Sequence, residues 1–144
     1  RIARAGTLFA SRGDDSGTHR AELRHWSAAG VDLARMSGYR ELGTGMGPTL
    51  NTSADLGAYT LSDRATWASF RNRRGLQILL EGDPALFNPY ATILMSAERY
   101  PHLRHDLARA WHEWIVSEAG QAAIDAFRVD GEQVYFPNAG GDGR

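Results

Sequence analysis

One polar turn constrains the fold of this chain more than any other stretch, because it joins an apolar strand to a helix. Residues 7–10 are an apolar run typical of a buried strand, and the pattern after Ser16 predicts a helix that closes at Gly30. The turn between them reads Ser11-Arg12-Gly13-Asp14-Asp15-Ser16-Gly17-Thr18-His19. A strand followed at once by a helix predicts an α/β arrangement.

The start of this predicted helix is a candidate anion site. The first amides of a helix have no acceptor within the helix and lie at its positive end. Gly17, between Ser16 and Thr18, lets a ligand approach the backbone closely. Arg12 adds a planar charge that suits oxyanions, and Asp14 is spaced to hold it. The alternative is that Ser16 or Thr18 only caps the helix and Arg12 is a surface charge.

Composition limits the functional classes. A chain of 144 residues with 42% hydrophobic residues can bury a core and fold as a globular domain. The net charge of −1 argues against a general nucleic-acid binder. All 16 basic residues are arginine, so the presence of an arginine at any one position, Arg12 included, is weaker evidence for a ligand-binding role. The absence of cysteine excludes disulfides and thiolate metal sites, and no apolar stretch approaches the roughly 18 residues of a membrane span.

Hydrophobic periodicity and turn residues predict the remaining elements. Arg1-Ile2-Ala3-Arg4 is typical of a helix end, and Asn51-Thr52-Ser53 signals a short helix that ends near Gly57. Strands are predicted at residues 58–61, 76–80, 90–95 and 133–136, and helices at 31–37, 64–74, 104–117 and 118–127. Gly43-Thr44-Gly45-Met46-Gly47 is interpreted as a flexible loop and not a phosphate loop, since neither a preceding strand nor a following helix is recognised.

An ordered set of motifs resembles the solute-binding proteins of ABC importers, and the tungstate-binding branch in particular. Arg12 to Thr18 fits the Arg-x-Asp-x-Ser-Gly-Thr segment of phosphate- and tungstate-type members. The same order is kept by Gly43-Thr44-Gly45-Met46-Gly47, Gly57-Ala58-Tyr59-Thr60-Leu61-Ser62-Asp63-Arg64, Glu81-Gly82-Asp83, Leu86-Phe87-Asn88-Pro89-Tyr90, Ser117-Glu118-Ala119-Gly120-Gln121 and Pro137-Asn138-Ala139. The resemblance implies an α/β fold, a type II-like periplasmic binding protein lobe with a small sheet flanked by helices and returning C-terminal helices of the other lobe.

The resemblance also implies a domain organisation. Residues 1–90 correspond to lobe two, and residues 91–139 to a hinge strand and a C-terminal segment that returns to lobe one. Residues 140–144 are expected to form a mobile tail. Family members begin with a Thr/Ser-rich anion-binding segment in the first lobe, which this sequence does not contain. We therefore expect the chain to be a C-terminal fragment that carries half of the site.

The function implied is extracytoplasmic capture of a tetrahedral oxyanion, tungstate first and molybdate second, for delivery to an ABC permease. Such a protein is not an enzyme, needs no cofactor or metal, binds no nucleic acid and has no membrane span of its own. Its location would be periplasmic or extracytoplasmic, with a lipid anchor as one form of attachment. Two alternatives stay open: the sensing domain of a cytosolic oxyanion-responsive transcription regulator, and a phosphate- or sulfate-binding protein.

The resemblance assigns the ligand contacts to Ser11, Arg12, Ser16, Gly17 and Thr18. Asp14 is expected to orient Arg12, and Thr60 either donates its hydroxyl to the ligand or braces the lobe. Tungstate is a full dianion that carries no proton, so a site built only of donors suits it. Asp15 is the exception, because a carboxylate turned into the cleft would favour protonated phosphate.

Other chemistry has weaker support in the sequence. His102, His105 and His112 lack a further ligand at a recognisable spacing, and His112-Glu113 fails as a zincin motif because Val116 replaces the second histidine. Ser16 and His19 could form a hydrolase pair, yet no orienting acid lies at a defined position. Arg12-Gly13-Asp14 matches a cell-adhesion tripeptide, but a match of only three residues can arise by chance.

Overall fold

The computed structural model describes residues 1–139, which form two compact units. The first unit is Arg1–Phe87, and the second begins at Asn88. The predicted tail at residues 140–144 lies outside the described residues. The assignment of the units to lobes of a binding protein stays a prediction.

The sheet of the first unit consists of β1 (Phe9–Ser11) and β2 (Tyr39–Glu41), which pair in parallel. On the other side of β1, the Ala10 amide donates to the Tyr59 carbonyl at 2.8 Å and the Tyr59 amide donates to the Leu8 carbonyl at 2.9 Å. The predicted first strand is confirmed with a shift of its bounds. The strand predicted at 58–61 is reduced to a single bridge at Tyr59.

The first unit contains four α-helices and two 3-10 turns. The helices are α1 (Ile2–Ala5), α2 (Gly17–Ala28), α3 (Met46–Leu56) and α4 (Arg64–Ser69), and the 3-10 turns lie at Leu33–Arg35 and Pro84–Leu86. The helix predicted at 64–74 is shorter than expected. Arg73 explains the early end, since its guanidinium donates to the carbonyls of Trp67 and Phe70 at 3.1 Å and so satisfies the last turn of α4.

The glycine-rich stretch at residues 43–47 was wrongly interpreted. β2 precedes it and α3 follows it, so it is a second strand-to-helix junction. α3 also begins well before the predicted start at residue 51. The reason is local: its N-cap is Gly45, which has no side chain to signal a helix start, and the hydroxyls of Thr49 and Ser53 donate to carbonyls one turn back within the helix.

The hydrophobic core of the first unit lies around β1. Phe9 contacts Trp26 of α2 edge to face, with ring centroids 5.0 Å apart, and stacks on Tyr39 of β2 at 6.1 Å. The other buried apolar side chains of this unit are Ala10, Met36, Met46, Leu50, Ala58 and Ala68. This packing holds α2 and β2 against β1.

The second unit contains a helix pair and a hairpin. α5 (His105–Val116) and α6 (Glu118–Ala126) confirm the two predicted helices, and Ser117 separates them. β3 (Arg128–Val129) and β4 (Glu132–Gln133) form an antiparallel hairpin. The strand predicted at 133–136 is wrong beyond its first residue, because the chain pairs locally through a two-residue turn at positive φ instead.

The strands predicted at residues 76–80 and 90–95 are also wrong. Both segments are irregular, and their apolar side chains are exposed, with Leu80 at 68% and Ile93 at 82%. An extended segment becomes a strand only when a neighbour pairs with its backbone. Within residues 1–139 neither segment has such a neighbour.

Residues 1–139 contain neither a cluster of metal-ligating side chains nor a membrane-spanning helix. No group of three or more His, Asp or Glu side chains in this range is arranged to hold a metal ion. His105 instead places Nε2 2.7 Å from the Tyr100 carbonyl oxygen. No helix in the same range is long and apolar enough to cross a membrane.

Candidate functional site

The two strand-to-helix junctions lie at the same edge of the sheet, because β1 and β2 are parallel and end in register. The backbone pairing continues past the strands: the Leu42 amide donates to the Ser11 carbonyl and the Thr44 amide donates to the Arg12 carbonyl, both at 3.0 Å. A Cβ added at Gly13 would lie 2.7 Å from the Cβ of Glu41. The segment after β1, residues 11–18, is therefore packed tightly against the end of β2, and we call it the junction segment.

Several backbone amides of the junction segment are satisfied internally. Three of them donate to side chains nearby: Gly13 to Ser11 Oγ at 3.2 Å, Asp15 to His19 Nδ1 at 3.0 Å, and Ser16 to Asp14 Oδ1 at 3.2 Å. The amides of Gly17 and Thr18, in the first turn of α2, have no acceptor within residues 1–139. These two donors are therefore available to a ligand.

Asp14 holds the Arg12 side chain, as the spacing suggested. Arg12 donates to Asp14 Oδ2 from Nε at 3.1 Å and from Nη2 at 2.5 Å, while Oδ1 accepts the Ser16 amide. The hydrogen bonds from Ser16 and from Arg12 lower the pKa of Asp14 to about 2. Arg12 keeps only 19% of its side chain exposed, and Nη1 makes no hydrogen bond to residues 1–139. The guanidinium is thus oriented but not saturated.

Asp15 is engaged away from these donors. Its two carboxylate oxygens accept from Nε and Nη2 of Arg20 on α2, at 2.9 and 2.8 Å. This ion pair lowers the pKa of Asp15 and raises that of Arg20. The Asp15 side chain is 76% exposed. Its carboxylate therefore belongs to an exposed pair on the outer side of the junction.

Ser11 and Thr60 both stabilise the end of β1. Ser11 is fully buried, and its Oγ accepts the Gly13 amide. Thr60 Oγ1 donates to the Ala10 carbonyl at 2.7 Å and so braces the end of β1, which is one of its two predicted roles. The assignment of either residue as a ligand contact stays a prediction.

The side chains of His19 and Glu22 on α2 and the hydroxyl of Tyr39 on β2 are buried polar groups that the sequence did not indicate. Glu22 is 3% exposed, and its Oε1 accepts from Trp26 Nε1 at 3.1 Å. The Tyr39 hydroxyl is buried without a hydrogen-bond partner in residues 1–139, and this burial raises its pKa to about 12. The sequence signal that could have indicated this burial is the spacing of residues 19, 22 and 26, which places them at i, i+3 and i+7 on one face of the helix.

The serine and histidine of the junction do not form a nucleophile–base pair. Ser16 Oγ accepts the His19 backbone amide at 3.3 Å, as a helix cap does. His19 Nδ1 accepts the Asp15 amide, and its Nε2 lies 3.5 Å from Glu41 Oε1. The ring therefore faces the protein interior, and no hydrogen bond joins it to the Ser16 hydroxyl for general-base chemistry.

The sequence profile of the PBP superfamily domain matches residues 2–119. The chain belongs to the PBP superfamily. Among relatives, a Haloferax volcanii protein with the provisional name ABC transporter anion-binding protein is 43% identical over 143 residues, covering 96% of this chain and 42% of the relative. The Peptoclostridium acidaminophilum tungstate-binding protein TupA is 38% identical over 133 residues, covering 91% of this chain and 46% of the relative.

A solved structure supports the same fold. The structure described as the tungstate ABC transporter from Geobacter sulfurreducens superposes with a TM-score of 0.75 at 38% identity, covering 88% of this chain and 53% of that chain. The two sequence relatives are named as binding proteins, and the solved structure as a transporter. The chain spans less than half the length of the two sequence relatives.

Proposed function

We propose that this chain contributes one half of a site that captures a tetrahedral oxyanion, tungstate or molybdate, for an ABC importer. The observation that carries the proposal is the pair of free amides at Gly17 and Thr18 beside a guanidinium that Asp14 holds in place. The names of the relatives support transport over transcriptional regulation. Binding and release, without chemistry on the ligand, is the activity proposed.

The anion would be bound by donors only. The amides of Gly17 and Thr18 would donate to its oxygens, together with the free Nη1 group of Arg12. Ser16 Oγ accepts the His19 amide, so its own proton is left to donate, and the Thr18 hydroxyl makes no hydrogen bond to residues 1–139. Ser11 enters the proposal as a supporting residue, because its side chain is fully buried.

The position of Asp15 supports tungstate or molybdate over phosphate. A phosphate that keeps a proton at neutral pH is best bound where a carboxylate accepts that proton. Asp15 is the acid of the junction segment that could have played this part, and Arg20 engages both of its oxygens. The other acid, Asp14, is likewise occupied by Arg12 and Ser16. The proposed site therefore prefers an anion that has no proton to donate.

Binding proteins of two lobes commonly close over their ligand, and the closed form is what a membrane partner would recognise. In this scheme the junction segment supplies one wall of the site and a second lobe supplies the other. An ABC permease is the partner proposed, and an extracytoplasmic location follows from it. A lipid anchor would be one way to hold such a protein at the membrane.

Calorimetric titration of the complete gene product with tungstate, molybdate, sulfate and phosphate tests the proposal. Arg12→Ala is expected to weaken tungstate binding by about tenfold or more, because it removes charge-assisted hydrogen bonds. Arg20→Ala is the matched control, since Arg20 pairs with Asp15 on the outer side and should alter affinity by less than about threefold.

Two outcomes would contradict this reading. Unchanged tungstate affinity in the Arg12→Ala protein would remove Arg12 from the site. A wild-type protein that binds none of the four anions would reduce the junction segment to a helix cap and reject the function.

A further inference from the structure

His19 occupies an unusual position beneath the junction segment. It is 8% exposed, and its Nδ1 accepts the Asp15 amide at 3.0 Å. Because Nδ1 is the acceptor, the neutral ring carries its proton on Nε2. That nitrogen is buried and lies 3.5 Å from Glu41 Oε1, at the end of β2. The ring thus lies between the first junction and the strand that leads to the second.

The bond to Asp15 determines the course of the backbone before α2. Asp15 has φ +58°, a left-handed conformation that few residues other than glycine adopt. In this conformation its amide points to the His19 ring, and the following amide of Ser16 points to Asp14. The amides of Gly17 and Thr18 follow directly, in the first turn of α2, and have no internal acceptor.

The geometry points to His19 as the positioning residue of the oxyanion site, an inference that rests on the function proposed above. His19 does not contact the anion, because its free nitrogen is buried against Glu41. It acts through Asp15: the ring holds this amide inward, and the next turn then presents Gly17 and Thr18 outward. The same ring lies against Glu41 at the end of β2, between the two junctions.

Nuclear magnetic resonance tests the hydrogen bond directly, in the complete gene product without any anion. Labelling with 15N should show a coupling across the N–H···N bond between the Asp15 amide and His19 Nδ1. The ring should carry its proton on Nε2. A proton on Nδ1, or the absence of the coupling in a well-resolved spectrum, would overturn the inference.

A matched pair of variants tests the consequence for binding. In His19→Asn the side-chain oxygen can occupy the position of Nδ1, whereas in His19→Gln the amide group reaches the position of Nε2. We expect His19→Gln to weaken tungstate binding about tenfold, and His19→Asn to stay within about threefold of wild type. The amide shifts of Gly17 and Thr18 should move in the glutamine variant and stay close to wild type in the asparagine variant.

The outcomes separate this inference from the proposed function. If the wild type binds tungstate and both variants bind it equally well, His19 does not position the site. If both variants lose affinity only in proportion to a lower unfolding temperature, the role of His19 is packing alone. If the wild type binds no oxyanion but the coupling and the amide shifts behave as described, the proposed function fails while the positioning of the two amides stands.

Discussion

At the scale of single residues, the contact with Asp14 sets Arg12 apart from the other arginines. Arginine serves throughout this chain where lysine could, so the residue type itself says little. Arg35 and Arg104 form exposed pairs with acids nearby, at 3.3 and 3.1 Å. Arg12 is mostly buried and shares its acid with a backbone amide of the same segment. The shared carboxylate couples the guanidinium to the start of α2, so both present donors together.

The pKa of Asp14 makes this coupling testable. The pKa of Asp14 is about 2 in the folded protein, against an ordinary value of 3.8. The ionised carboxylate therefore stabilises the fold fully above about pH 3.8, and this stabilisation is lost as the pH falls through about 2. We expect the contacts to Arg12 and Ser16 to persist at pH 4. A 13C titration of the Asp14 carboxyl carbon should show a midpoint near 2, and Asp14→Asn should remove that signal. A midpoint near 3.8 would show that the contacts are not maintained in solution.

Signals along the chain explain which elements could be predicted. β1 and α2 were predictable because an apolar run precedes a strong capping residue, Ser16. β2 and α3 were missed because β2 is the polar triplet Tyr-Arg-Glu and the cap of α3 is Gly45. The strands wrongly predicted at residues 76–80 and 90–95 are apolar enough, but strand formation depends on a partner far away in sequence.

In the candidate site, too, contacts between sequence neighbours could be predicted and contacts between distant residues could not. Arg12, Asp14 and the start of α2 are neighbours in sequence, so spacing was enough to suggest their contact. His19 could not be assigned its place in this way. Its second contact, Glu41, is 22 positions along the chain and comes close only when β1 and β2 pair. Residues that act across elements require the fold to be known.

The contact between the two junctions predicts a strong effect at Gly13. Its φ of +58° disfavours any side chain, and an added Cβ would lie 2.7 Å from Glu41 Cβ. We expect Gly13→Ala to lower the free energy of unfolding by about 1–3 kcal/mol. Gly17→Ala is the control, since nothing lies within 4 Å of its added Cβ and its φ is not positive. Denaturant unfolding measures both, and equal stabilities would contradict the close packing of the junctions.

At the scale of the whole molecule, the two units differ in how they bury apolar side chains. The first unit has a core around β1, whereas Val134 is the buried large apolar residue of the second unit in its described part. One face of α5 carries Leu107, Trp111 and Trp114, which are 57%, 57% and 42% exposed. The two tryptophan rings lie with centroids 5.2 Å apart. Exposed patches of this kind on a folded chain usually mark a surface that another surface covers.

This face predicts how the 144-residue chain behaves in solution. Removal of apolar surface from water favours association, so we expect its sedimentation coefficient to rise with concentration and an apolar dye to fluoresce when bound. The double variant Leu107→Arg/Trp111→Arg should reduce both effects, because it places charge within the apolar face. Glu113→Gln is the control, because it also makes the net charge more positive but lies on another face of α5. It should leave the concentration-dependent sedimentation and the dye fluorescence in place. If the double variant and the control associate alike, the α5 face does not drive association, and charge or another surface must be responsible.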